Sequence, residues 1–303
     1  MTDSLSGRGA AASWPSMLDL VRLSPRRLFP PGGEALYRQI ALLTGMAEGD
    51  EILDVGCGRG VSLEYFVQEH GAHGSGIEED ARLVQLSEDR ARELGLSDRM
   101  HFQSAAPAAL PYRDEIFDIT VGELGMTSGA DPAEAVKELV RVTRAGGSVV
   151  LVQLAWKAPV DPERRSVLGE HLGVQPLMLV EWKRLLKEAG VADLHTEDWT
   201  DDETAFRPRI AKPFPDFAEI FSLWEKLGIL RRVFSRWGWQ GVRAVLARER
   251  VVHRLLSRER ILGLNLLMGT RVEGAVSSVS PSASGAADPA EHKLDLFPEG
   301  PTP

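Results

Sequence analysis

Ile52-Leu53-Asp54-Val55-Gly56-Cys57-Gly58-Arg59-Gly60 decides how the rest of the chain is read. The apolar run Glu51–Val55 ends in three glycines at alternating positions, and a helical pattern, Val61–His70, follows. A near-continuous apolar run suits a strand buried on both faces. The glycines let the backbone turn tightly and let a ligand come close to the main chain. In open α/β sheets such a ligand sits at the carboxyl ends of the strands, beside the point where strand order reverses. Glu78 lies 20 residues beyond Gly58, just past a second strand pattern, Ala72–Ile77. A carboxylate there can accept both hydroxyl hydrogens of a ribose.

The same alternation continues outward. Asp80 is a helix cap before a stripe of Leu83, Leu86 and Leu94, stopped by Gly95. Met100–Gln103 and Ile116–Gly122 read as the third and fourth strands. Asp131-Pro132 opens a helix with Val136, Leu139 and Val140 on one face, and Gly146-Gly147 ends that connection. Ser148–Ala155 is a fifth strand, Val180–Ala189 a helix, Ala192–Trp199 a sixth strand and Ile261–Met268 a last one. This β-α rhythm predicts a Rossmann-like, doubly wound α/β sheet covered on both faces.

The glycine spacing narrows the ligand. Dinucleotide folds use G-x-G-x-x-G to cradle a pyrophosphate on a helix N-terminus. This chain has G-x-G-x-G, with Asp54 two residues ahead. A carboxylate there repels a pyrophosphate and attracts an amino group, which suits S-adenosyl-L-methionine (SAM), a nucleoside that bears an amino acid and no phosphate.

Four blocks then carry a resemblance: ILDVGCGRG at Ile52–Gly60, GIEEDARLV at Gly76–Val84, LPYRDEIFD at Leu110–Asp118 and ELVRVTRAGGSVVLV at Glu138–Val152. Over roughly Gly32 to Trp199 the chain resembles the class I SAM-dependent methyltransferases, in the small-molecule branch related to ubiquinone and menaquinone methyltransferases. The resemblance implies a seven-stranded sheet with the last strand antiparallel. It implies that Gly56, Gly58 and Gly60, with Cys57 between them, line the methionine part of SAM, and that Asp54 lies near its amino group. Glu78 would hold the ribose and Glu79 lie beside the adenine. Where the family has an acidic residue that contacts the adenine, this chain has Ala106 followed by Pro107, so the side-chain bond is missing and backbone near Ala105–Pro107 is the substitute. Glu123, just past the fourth strand, faces cofactor or acceptor and is the candidate base or orienting residue. Cys57 itself reads as a small filler in the turn.

The blocks divide the chain into an N-terminal extension (1–30), a SAM-binding core (31–204), a helical insertion (205–258), the last core strand (259–274) and a tail (275–303). The tail, rich in Ser, Pro, Ala and Gly, reads as disordered. In the insertion Phe217, Ile220, Phe221, Trp224 and Leu227 recur at helical spacing, as do Val242, Val245, Leu246, Val252, Leu255 and Leu256 beyond Trp237-Gly238-Trp239. This reads as two helices joined at a glycine bend, capping the active site from the carboxyl edge. The net charge is -9, so bulk charge argues against a nucleic-acid partner. Residues 206–272 nevertheless hold 14 Lys and Arg against 5 Asp and Glu, and the remainder 21 against 39. These arginines, among them Arg231, Arg232, Arg236, Arg243, Arg248, Arg250, Arg254, Arg258 and Arg260, suit an anionic acceptor, an acidic membrane surface touched peripherally, or a solvated face paired with the acidic body.

No run approaches the ~18 apolar residues of a membrane span. One cysteine rules out an internal disulfide or a Cys-cluster metal site, and the seven histidines show no ligand spacing, so no metal is expected. The expected location is the cytoplasm. The reading is therefore methyl transfer from SAM to a small, hydrophobic or anionic acceptor, with a non-catalytic SAM-binding sensor and, less well matched by the glycines, a nicotinamide oxidoreductase as alternatives. The oligomeric state is left open.

Overall fold

The computed structural model describes residues 14–24, 27, 30–200, 222–253 and 261–274 of the chain. In chain order these form α1 (Met17–Arg22), α2 (Gly33–Thr44), β1 (Glu51–Val55), α3 (Val61–His70), β2 (His73–Ile77), α4 (Ala81–Leu94) and β3 (Met100–Gln103). Then come β4 (Phe117–Gly122), a 3-10 turn (Leu124–Thr127), α5 (Pro132–Val142), β5 (Thr143–Trp156) and α6 (Pro162–Leu172). The chain continues with β6 (Leu177–Met178), α7 (Leu179–Glu188), β7 (Val191–Asp198), α8 (Leu223–His253) and β8 (Leu262–Arg271).

The strands form one sheet in the order β3-β2-β1-β4-β5-β8-β7, and β6 adds two residues beside β5. β1 to β5 run parallel, and β8 is antiparallel to both β5 and β7. This is the expected sheet with its last strand reversed and inserted between β5 and β7. Strand order reverses at β1 and β4, which is where a ligand crevice opens.

The pleat sorts the side chains of β1. Ile52 joins the core under α2 and α3, with Tyr37, Leu63 and Phe66. Leu53 and Val55 join the core under α5 and α7, with Val136, Leu139 and Trp182. With a period of two, Asp54 points to the same face as Ile52, toward α2 and α3. The helices begin where the chain chemistry directs. Asp80 accepts from Arg82 N at 2.9 Å, and Asp131 accepts from Ala133 N at 2.8 Å.

Four features differ from the sequence reading. β5 starts at Thr143, not Ser148. Gly146-Gly147 lies inside it, in a bulge that lets Phe117 face Thr143 and Ile119 face Ser148. β8 extends to Arg271 because Ser148–Trp156 pairs with Leu262–Thr270 and Val191 of β7 pairs with Arg271. α6 lies between β5 and α7, and α1 and α2 precede β1. Finally, Trp224 and Trp239 are exposed, although aromatic residues of this kind are more often core.

α8 lies in the β7–β8 connection. It bends at Gly238, whose φ of 65° and ψ of -164° are not helical, so the expected glycine bend is present. Ile229, Val233 and Val245 on α8 bury Leu20 of α1 in a small core of their own. The expectations for residues 1–13, 205–221, 254–258 and 275–303, including Phe217, Ile220, Phe221, Leu255, Leu256, Arg254 and Arg258, lie outside the described residues, as does Arg260.

Candidate active site

The three turn glycines all have positive φ: 83° at Gly56, 56° at Gly58 and 63° at Gly60. Two are also required by packing. A Cβ on Gly56 would lie 2.5 Å from Met126 N, and one on Gly60 would lie 2.5 Å from the Phe102 ring. At Gly58 a Cβ would meet nothing within 4 Å. Of the three, Gly58 therefore opens onto free space, and Gly56 and Gly60 are the places where the protein packs against its own turn. Cys57 turns inward. It is buried, its Sγ lies near Gly76, and burial pushes its thiol well up, with Asp54, Glu78 and Glu123 adding to the rise. Its side chain is thus not part of the ligand surface.

Asp54 is fully buried. Its Oδ2 accepts from the Ser62 hydroxyl of α3 at 2.5 Å, while Oδ1 meets no N–H or hydroxyl donor among the described residues. Burial raises the Asp54 carboxyl to about 7, opposed by hydrogen bonds from Ser62 and Glu123 and reinforced by the charge of Glu78. Glu123 sits beside it at the end of β4, tied down by its N–H to Val55 O at 2.9 Å and by Gln153 Nε2 to its carbonyl at 2.7 Å. Its Oε1 accepts from Tyr37 Oη of α2 at 2.9 Å. Burial, then the Asp54 charge, push Glu123 well above the carboxylate range, against the hydrogen bonds of Ser62 and Tyr37. Two buried carboxyls this close do not both ionise, so Glu123 keeps a proton and Asp54 is the one poised to lose its own. Tyr37 is itself raised, first by burial and then by these two carboxyls.

Glu78, past β2, is almost fully buried and heavily engaged. Its Oε1 accepts from Arg22 Nη2 of α1 at 2.7 Å and from Asp80 N at 3.2 Å, and its Oε2 accepts from Gly58 N at 3.1 Å. Each carboxylate oxygen takes about two donors, so one clear acceptor position remains, on Oε2. Glu79 is exposed, next to Gly129, and burial nudges its carboxyl upward, Arg22 pulling it back. Ala106 is exposed with its carbonyl accepting from Ala109 N at 3.0 Å, and Pro107 is buried. Two residues before Ala106, Ser104 donates its hydroxyl to Glu79 O at 3.1 Å.

Most of the residues that sequence reasoning missed arrive from afar. Tyr37, Ser62 and Gln153 position the carboxyl pair. Arg22 also reaches Ser128 Oγ at 3.4 Å, on the 3-10 turn's far end. Together with Asp19, Glu79, Asp80, Arg82 and Arg236 it borders a cleft of about 510 Å³. The last turn of α1 is held by three arginines on successive carbonyls: Arg82 on Arg22 O, Arg232 on Leu23 O and Arg59 on Ser24 O.

The chemistry of this donor set fits SAM. A buried carboxylate whose Oδ1 meets no N–H donor among the described residues suits an ammonium, and the flank of Gly58 is open. Residues 53–151 match the Methyltransferase domain family. Methyltransferase GfsG of Streptomyces halstedii is 25% identical over 186 residues, 60% of this chain and 67% of the relative. The 27-O-demethylrifamycin SV methyltransferase of Amycolatopsis mediterranei is 30% identical over 173 residues, covering 54% and 63%. The crystal structure of the [4+2]-cyclase SpnF superposes with a TM-score of 0.61 at 22% identity, over 79% of this chain and 82% of that one, a likeness of fold. Sheet order, the four sequence blocks and these relatives agree: residues 53–151 match a methyltransferase domain, and the chain is similar to SAM-dependent methyltransferases that act on small molecules.

Proposed function

We propose that the acceptor is a small, hydrophobic molecule with an acidic or phenolic head, methylated at the carboxyl edge of β1 and β4 by positioning rather than by deprotonation on the enzyme. The observation that carries this is the protonation of the buried cluster. Burial holds the Glu123 carboxyl and the Tyr37 hydroxyl well above their ordinary values, which favours their protonated forms over their use as bases. SAM supplies an electrophilic methyl on a sulfonium. Asp54 would bind its ammonium through Oδ1, Glu78 would take a ribose hydroxyl, and Glu79 with Ser104 would border the adenine. Glu123 would donate a hydrogen bond and orient the reactants. Alignment of this kind can supply ~7–11 kcal/mol of barrier lowering in favourable systems. The acceptor then needs to be nucleophilic on arrival, as a phenolate, an amine or a stabilised carbanion is. Arg82 and Arg236, at the cleft beside α1, suit its acidic head. The reading places α8 as a cap beside the site and the enzyme in the cytoplasm, where a lone buried thiol is at home.

Turnover with a metabolite panel, followed by mass spectrometry of the product, identifies the acceptor. Glu123→Gln then tests the role of the residue, because glutamine still donates a hydrogen bond. Turnover within a few-fold of wild type is expected. Loss of ~10²–10⁴, the size of a general-base contribution, would make Glu123 a proton acceptor and overturn the reading.

A further inference from the structure

We propose that α8 docks this protein onto an anionic bilayer, with Leu223, Trp224, Leu227, Phe234 and Trp239 set into the headgroup region. The proposal holds whatever the acceptor turns out to be.

α8 carries two apolar faces, and the fold uses one. Ile229, Val233 and Val245 are buried against Leu20. At ~100° per residue, positions 223, 227 and 234 fall within ~40° of one another, with 224 at their flank and 229 and 233 on another side. Trp239 lies beyond the Gly238 bend, yet its ring meets that of Phe234 edge-on at 5.2 Å, so the bend brings it back to the same face. Trp224 is 83% exposed and Trp239 71%. Single exposed apolar residues need no explanation, but five on one helix face, two of them indoles, do.

Charge selects the occupant. α8 holds seven Lys and Arg against two Glu, in a chain of net charge -9. Arg231, Arg243 and Arg250 are exposed on it. A second copy of the chain meeting this face about a two-fold axis would set these arginines against themselves. An anionic bilayer takes both the charge and the rings: tryptophans favour the headgroup level, and each Lys or Arg close to the surface adds attraction. The helix would lie on the membrane, since no helix among the described residues is long and apolar enough to cross one. Such docking would hold α1, and with it the cleft beside Glu78, close to the bilayer, because the buried face of α8 grips Leu20 two residues before Arg22.

The test is flotation of the full chain with vesicles of phosphatidylcholine alone and of phosphatidylcholine with phosphatidylglycerol, together with tryptophan emission. The chain should float with the anionic vesicles, its emission should shift to the blue, and added salt should release it. Trp224→Ser, Leu227→Ser and Trp239→Ser combined should cut partitioning at least about tenfold with circular dichroism unchanged. Arg231→Glu, Arg243→Glu and Arg250→Glu combined should do the same by removing the preference for anionic lipid. No flotation with anionic vesicles, or flotation that neither triple variant reduces, overturns the proposal. So does a wild-type dimer in lipid-free light scattering that the serine variant converts to monomer, which would assign the face to self-association.

Discussion

The glycine turn and the helical layer beside it reach the same cofactor edge by opposite means. Between Val55 and Val61 the shape is made by the backbone: positive φ at alternate glycines, and N–H groups of Gly56 and Cys57 both on Ile77 O of the neighbouring β2 at 2.8 and 3.1 Å. Around α1 the bonds are long-range: arginine side chains from the glycine turn, α4 and α8 on the carbonyls at its end, and Leu20 buried against α8. The turn is a shape fixed by backbone conformation and by the rigid strands beside it. The layer is a shape assembled from partners, and its members can be exchanged or released one by one. That difference makes the turn a fixed receptor and the layer the part able to adjust to cofactor and acceptor.

The sharpest way to break the turn is Gly58→Val. A branched side chain at φ 56° is strained, and it fills the one flank of the turn that the protein leaves open. Strain and overpacking together should weaken SAM binding by at least about a hundredfold. Calorimetry on protein still folded by circular dichroism checks this. Gly56→Val is the contrasting variant: its Cβ strikes the backbone at Gly125 and Met126, so it should fail as a fold rather than as a binding site.

The same contrast explains what the sequence makes legible. The strands of the core and the turn announce themselves in runs of adjacent residues, as EILDV and the three glycines do. α2 also carries a readable stripe in Leu36, Tyr37, Ile40 and Ala41, a signal that the sequence reading does not use. α6 has only Leu168 and Leu172 buried, too few apolar positions to mark a helix. β5 is misread at its start because a double glycine serves equally as a stop or as a bulge. Asp54, Glu78 and Glu123 are placed by motif and spacing. Their partners Arg22 and Tyr37 lie 56 and 86 residues away in sequence, and no local pattern points to them. Cys57 shows the limit in the other direction, a motif residue whose side chain serves the core.

Removing the ribose carboxylate is a smaller insult to the same receptor. Glu78→Ala should cost SAM affinity at least about tenfold, because hydrogen bonds to a charged group are worth ~1.5–3 kcal/mol. It also leaves Arg22 without its ion pair, so part of the loss should reappear as disorder of the layer. Hydrogen exchange over residues 14–24 reads that part separately from calorimetry, and Glu78→Gln should lose less in both.

Protonation gives a graded version. Asp54 in the free chain releases its proton at about 7, and an ammonium favours the carboxylate. Below that pH, SAM must displace a proton to bind, so affinity should fall as the solution becomes more acidic, by up to about tenfold per pH unit. Asp54→Asn should bind SAM weakly and without this pH dependence. The stability of the free protein runs the other way. The folded Asp54 holds its proton more tightly than the ordinary value of 3.8, so the fold binds more protons than the unfolded chain between about 4 and about 7. Its contribution should therefore weaken as pH rises through that window, and Asp54→Asn should raise Tm at pH values above it.

The smallest expected effect falls on the layer itself. Glu78 Oε1 is taken by Arg22 and Asp80 N, and its Oε2 by Gly58 N, so a ribose with two hydroxyls to place competes with Arg22 for the carboxylate. The pair is closed off from water, with side-chain exposures of 16% for Arg22 and 1% for Glu78. Arg22→Gln keeps a hydrogen-bond donor but removes the charge. SAM should then bind about two- to tenfold more tightly, the worth of one ordinary hydrogen bond no longer displaced. Exchange over residues 14–24 should quicken in the free protein, while the three arginine-to-carbonyl bonds at the end of α1 keep the helix in place. Weaker binding by Arg22→Gln would mean that Arg22 stays on Glu78 when SAM is bound and holds it in position. The layer would then be part of the receptor, and the division between a fixed turn and an adjustable cover would have to be redrawn along β2.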